Sequence, residues 1–302
     1  MIDFPSYLKL YEEDAIADRL EELLTRAAPC MLCPRQCMAD RAAGDRGYCQ
    51  APYEAYLSSA APHFGEEPPI TGTRGSGTIF FTHCSLRCSF CQNYEISIRG
   101  EGISCPTAAL SDVMIDLQNK GCHNINFVTP THYVHQILKA LPLAIEKGLT
   151  IPLVYNTGGY DSPDTIRLLD GIFDIYMPDI KFLDPVLASR YCRAENYPEV
   201  VRETIREMHR QVGDLIVDES GIAMRGLVIR HLQMPSAVAD SKAVLDFIAG
   251  ISTNSYVNIM SQYYPCHVAR ETPEIARRIT AEEHGEVARY ARSIGLVRAD
   301  RY

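Results

Sequence analysis

Apolar residues recur along this chain in two alternating rhythms. Short runs rich in β-branched and aromatic side chains fall near 78–82, 124–129, 153–157, 175–178, 227–233 and 256–260, and such runs read as strands. Between them the period becomes helical. Leu110, Val113, Met114 and Leu117 lie at i, i+3, i+4 and i+7 and stop at Gly121; Val134, Ile137, Leu138 and Leu141 repeat the pattern towards Gly148. Ser162-Pro163 reads as a cap and first helical residue ahead of Ile166 and Leu169. A helix is expected over 199–212, and Ser241 opens another with Val244, Leu245 and Ile248. Thr280-Ala-Glu-Glu283 has the form of a capping box before Val287, Ala291 and Ile294.

Strand–helix alternation predicts an α/β protein with parallel strands and helices outside them. Six repeats are too few to close an eight-stranded barrel. Residues 1–29 read as helical and charged and 30–76 as loop-rich. The expected division is therefore 1–76 as a helical segment plus a cysteine-rich extension, 77–270 as the α/β body and 271–302 as a C-terminal helical segment.

Composition changes this picture little. With 46% apolar and 22% charged residues among 302, the chain is an ordinary globular one. Lys+Arg 29 against Asp+Glu 38 gives a net charge of −9 without a basic run, which argues against nucleic acid or anionic membrane as partners. No stretch reaches the roughly 18 apolar residues of a membrane span, and Met1-Ile-Asp-Phe-Pro-Ser-Tyr7 has no secretory pattern. A cytoplasmic location is expected. In that reducing compartment the eleven cysteines read as metal ligands or buried thiols rather than disulfides.

Their spacing carries the chemistry. Cys84, Cys88 and Cys91 stand C-x3-C-x2-C in His83-Cys-Ser-Leu-Arg-Cys-Ser-Phe-Cys-Gln-Asn93, directly after the run Thr78-Ile-Phe-Phe-Thr82. Three thiolates can hold three irons of a four-iron, four-sulfur cube and leave the fourth open to a small molecule. A zinc site would need a fourth ligand that this loop does not supply, so a non-catalytic metal-binding protein is the weaker alternative. A second set, Cys30, Cys33, Cys37 and Cys49, is spaced C-x2-C-x3-C-x11-C with glycines at 44 and 47. Four thiolates complete either a zinc site or an iron–sulfur cluster, and spacing does not decide between them.

The first triad, with Phe90 before its last cysteine, resembles the signature of the radical S-adenosylmethionine (SAM) superfamily. Gln92-Asn93 is similar to the pyruvate formate-lyase activating-enzyme branch. Gly65-Glu-Glu-Pro68, Gly75-Ser-Gly-Thr-Ile-Phe-Phe81, Asn124-Ile-Asn-Phe-Val-Thr-Pro-Thr-His132, Val154-Tyr-Asn156, Asp174-Ile-Tyr-Met-Pro-Asp-Ile-Lys181 and Gln262-Tyr-Tyr-Pro265 resemble the uncharacterised iron–sulfur group related to that enzyme. The resemblance implies a partial (β/α)6 TIM-type barrel with its site at the C-terminal strand ends. It also implies a [4Fe-4S] cluster that binds SAM, whose reductive cleavage gives a 5′-deoxyadenosyl radical that abstracts hydrogen from a substrate. A flavodoxin- or ferredoxin-type reductant is expected as partner, and the substrate is a protein, peptide or small molecule.

Residue by residue, Phe90 resembles the aromatic near the adenine and Asn93 a polar contact to the nucleoside. Thr129, Pro130, Thr131 and His132 take the place of the turn that receives the SAM amino group, here without a carboxylate. Asn156, Thr157, Met177, Asp179 and Lys181 match the pattern that holds a monovalent cation beside the SAM carboxylate, with Asn156 replacing an aspartate. Arg230, inside an apolar strand, needs an anion, and the SAM carboxylate or an internal acid would serve. Gln262 ends the sixth strand and faces nucleoside or substrate. A glycyl-radical activase is the narrower alternative, but here the extra cysteines precede the radical motif, whereas many activases place theirs after it.

Overall fold

In the computed structural model, which describes residues 4–299, nine strands form one sheet. They are β1 (Ala55–His63), β2 (Ser76–Phe81), β3 (Ile103–Cys105), β4 (Ile125–Val128), β5 (Leu153–Thr157), β6 (Ile175–Pro178), β7 (Ile216–Val217), β8 (Ala223–Leu232) and β9 (Tyr256–Met260). The strands run β3-β1-β2-β4-β5-β6-β8, with β9 also pairing β8 and β7 forming a short antiparallel pairing on it. From β2 through β4, β5, β6 and β8 to β9 every pairing is parallel. These six are the strands that the hydrophobic runs predict, and the sheet stays open. β1 and β3 extend it antiparallel beside β2.

The helical periodicities correspond to Thr107–Asn119, Val134–Glu146, Pro163–Arg167, Tyr197–Val212 and Val238–Ile251. Their apolar stripes pack on the outer face of the sheet in the main core, including Leu110, Met114, Ile137, Leu141, Ile205 and Val244. Thr280 and Glu283 form the expected capping box: the Glu283 amide donates to Thr280 Oγ1 (3.1 Å) and the Thr280 amide to Glu283 Oε2 (2.8 Å). Among the described residues no helix is long and apolar enough to cross a membrane.

The inner face of the curl has its own small core of Ile70, Val154, Ile175, Met177 and Val228 with Tyr256. Side chains alternate across a strand with period two. The residues two further on, Asn156, Asp179, Arg230 and Asn258, therefore form a polar layer above this apolar floor. Ile70, from the short helix Pro68–Thr71, plugs the floor from below. Sequence pattern alone predicts no strand before 78; β1, Ala-Tyr-Leu-Ser-Ser-Ala-Ala-Pro-His, carries small and polar residues and a register shift at Leu57/Ser59, so it lacks an apolar run.

Candidate functional site

The parallel ladder continues past the strand ends and sets the site's height. The amide of Thr129 donates to the Asn156 carbonyl (2.8 Å), that of Asp179 to Thr157 (2.8 Å) and that of Ile180 to Arg230 (2.8 Å). Thr129, Asn156, Thr157, Asp179 and Arg230 are thereby fixed side by side. They line one cavity together with Cys84, Cys88, Cys91, Asn93 and Lys181. The thiols come from the loop after β2, the polar groups from the ends of β4, β5, β6 and β8, which is where parallel sheets place ligands.

The polar layer is an ion network. Lys181 Nζ stands 2.7 Å from Asp179 Oδ2, and Arg230 Nε 2.8 Å from Asp179 Oδ1. The Arg230 guanidinium also donates to Asn156 Oδ1 (2.6 Å) and to Glu66 Oε2 (3.3 Å). Burial pushes the Asp179 carboxyl upward, but the Arg230 and Lys181 charges outweigh it and hold it below the usual carboxylate range. Burial alone favours a neutral Lys181, and the Asp179 charge reverses this and holds it well above the usual lysine value. The site thus carries two fixed cations.

The three thiols border this one cavity, although among the described residues they do not converge as a metal-holding group. Burial pushes Cys84 up to about 11, and burial likewise raises Cys91. Thiols that resist ionisation need a cation to bind as thiolates. The Leu86 amide is aimed at Cys84 Sγ (3.4 Å), and Ser97 Oγ lies 3.1 Å from Cys91 Sγ, as donors to a cluster sulfur would be. His83 (φ 68°), Arg87 (φ 59°) and Thr129 (φ 58°) take left-handed conformations without being glycine. Such residues cost about 1–3 kcal/mol each and gather at functional sites.

Other expected residues stand elsewhere. Phe90 packs edge-on against Phe182 (6.1 Å) and Tyr263 (6.3 Å) behind the loop. Met177 belongs to the apolar floor. Pro130 is buried in the turn, and Thr131 donates to Asp161 Oδ1 (2.6 Å). The His132 ring meets the Thr82 carbonyl (2.8 Å), is pushed down to about 3 by burial and by Arg41 and so is neutral, and it does not line the cavity. Gln262 lines a neighbouring cavity that shares Arg230.

Two residues at the site have no signal of their own in the sequence. Asp161 accepts from Thr131, Thr157 (2.6 Å) and Tyr155 (2.9 Å), tying the turn after β4 to the end of β5. Cys192, which by spacing reads as a buried apolar residue, lies 3.5 Å from Cys88, sulfur to sulfur. The Thr131–Asp161 and Cys88–Cys192 contacts span 30 and 104 residues, and that separation hides them in the sequence.

The other four cysteines are neighbours in space, without converging as a metal-holding group among the described residues. Burial pushes Cys33 up to about 12, and Cys49, Cys30 and Cys37 add to it as neighbours. A Cβ at Gly47 would collide with Cys37 Sγ, so only glycine leaves that thiol its place. Arg41, 2% exposed, reaches the His132 carbonyl (2.7 Å), the Pro52 carbonyl (2.5 Å) and Cys30 Sγ (3.9 Å). Arg35 Nε donates to the Ser85 carbonyl (3.0 Å). The cysteine-rich segment is thus bonded both to the triad loop and to the turn after β4.

An open parallel barrel whose first strand leads into three thiols, facing polar groups at the next strand ends, defines the radical SAM class of enzyme. Residues 78–220 match the family model of the radical SAM superfamily, and the chain belongs to that superfamily. It is 33% identical over 263 residues to the uncharacterized protein MJ0674 of Methanocaldococcus jannaschii, across 84% of this chain and 71% of that one. Membership implies a [4Fe-4S] cluster and SAM as cofactors.

Proposed function

We propose that Cys84, Cys88 and Cys91 hold the cluster, and that SAM binds between it and the polar layer to generate a radical that abstracts hydrogen from a substrate. The shared cavity of thiols and strand ends is the observation that carries this reading. When bound and reduced by an external donor, the cluster would supply one electron to break the sulfonium C5′–S bond, giving methionine and the 5′-deoxyadenosyl radical. This chain's residues bind and orient. Lys181 and Arg230 offer N–H donors to the SAM carboxylate, Thr129 and the carbonyls of its turn accept from the SAM ammonium, and Asn93 meets the nucleoside.

The monovalent cation implied by the resemblance is replaced here by Arg230. Its guanidinium already donates to Asn156 and Asp179, two of the residues that would otherwise ligate the ion. Exchanging sodium and potassium for choline should therefore leave SAM cleavage unchanged in the native protein.

The four N-terminal cysteines hold a second metal as thiolates. Support comes from Arg41: no described carboxylate pairs with this buried cation, and a thiolate-ligated centre of either kind is anionic. Iron–sulfur would make it an electron conduit, fed by a flavodoxin- or ferredoxin-type donor, and zinc a clasp.

Anaerobic reconstitution with iron and sulfide, then dithionite and SAM, tests the central reading. 5′-Deoxyadenosine should form, and should vanish in Cys88→Ala. An intact cluster that yields none would refute it. The activase version has its own readout, a glycyl-radical doublet in electron paramagnetic resonance on mixing with a partner enzyme.

A further inference from the structure

A second cavity, of about 600 Å3, opens beside the first between the β1–β2 connection and the β8–β9 side of the sheet. Glu66 and Glu67, from the β1–β2 connection, face Asn258 and Met260 of β9 across it, with Arg230 common to both cavities. Phe64 stands at its rim, 64% exposed.

The charges here do not cancel. Asp179 is matched by Lys181 and shares Arg230 with Glu66. Glu67 is left over. Its Oε1 accepts from Asn258 Nδ2 (2.8 Å), while its Oε2 is buried without a hydrogen-bond partner in a side chain only 5% exposed. Buried carboxylate oxygens are rarely left so. What the position lacks is a donor, and the surplus negative charge favours a cationic one.

We propose that this cavity is the substrate site and that Glu67 recognises a protonated amine on a molecule whose apolar body lies against Phe64 and Met260. The proposal rests on the reading of the adjoining cavity as the SAM site, since Arg230 places the amine's carbon skeleton beside it. Glu66 differs in role: it is neutralised by Arg230 and holds that side chain.

The test uses 4-phenylbutylamine as probe, with 4-phenylbutanol and 4-phenylbutyrate as controls of like shape, titrated calorimetrically into the reconstituted protein with SAM. The amine should bind about tenfold or more tighter than either control, and Glu67→Gln should weaken it by about tenfold. The comparison of probes in the native protein stands even if the variant folds poorly. Equal binding of all three, binding of none, or an unaffected variant would overturn the proposal. 5′-Deoxyadenosine formation without the amine separates the two readings. Nucleoside with no preference for the amine defeats the amine site alone; a selective amine site in a protein that makes no nucleoside defeats the radical reading alone.

Discussion

Asp179 decides whether the polar layer is a site or merely two buried cations. Both its oxygens are taken, by Lys181 and Arg230, and removing one partner of a buried pair costs about 3–5 kcal/mol. Asp179→Asn should lower stability by that order and weaken SAM binding, as denaturation and equilibrium dialysis would show. The pH sign follows from its depressed folded pKa. Its contribution is present above the ordinary carboxylate value of about 3.9 and is lost as pH falls below it. The gap between native protein and variant should hold at neutral pH and close only in acid. At this scale the sequence was legible where a motif fixes the strand face. Asp179 and Lys181 share a face and both line the cavity, whereas Met177, on the same face one pleat deeper, meets Ile70 and becomes floor. The His132 ring was not legible, because its partner, the Thr82 carbonyl, lies 50 residues away in the chain.

Among elements, the six parallel strands announce themselves because parallel strands buried on both faces need continuous apolar runs. β1 and β3 lie towards an edge and carry no such run. The N-terminal helix Ser6–Glu12 is tied to β6 through Asp174, which accepts from the Ser6 amide (3.0 Å) and hydroxyl (2.7 Å). Burial pushes Asp174 up to about 6. For an acid raised above its unfolded value, the contribution is full below about pH 4 and is lost as pH rises through about 6. Asp174→Asn should therefore gain on the native protein between pH 4 and 7 in thermal melts, the reverse of Asp179→Asn. The helix Ala281–Ser293 offers a simpler check: Thr280→Ala should cost about 1 kcal/mol without altering cofactor binding.

Across the whole molecule, the cysteine-rich segment braces the loop that carries Cys84, Cys88 and Cys91. Arg35 holds the Ser85 carbonyl and Arg41 the His132 carbonyl, so the segment is tied both to the triad loop and to the turn after β4. Gly47→Ala, which crowds Cys37, should lower metal content and speed hydrogen exchange over residues 84–91, read by mass spectrometry. Spacing alone divides the clustered cysteines into two sets; the bonds that tie their two segments together are visible only in the fold.

Mössbauer spectroscopy of protein loaded with 57Fe tests the centre of this account most directly. One iron of the Cys84, Cys88 and Cys91 cluster should shift its signal when SAM is added and the other three should not. A spectrum that SAM leaves unchanged, or a loop that takes up no cubane, would contradict it.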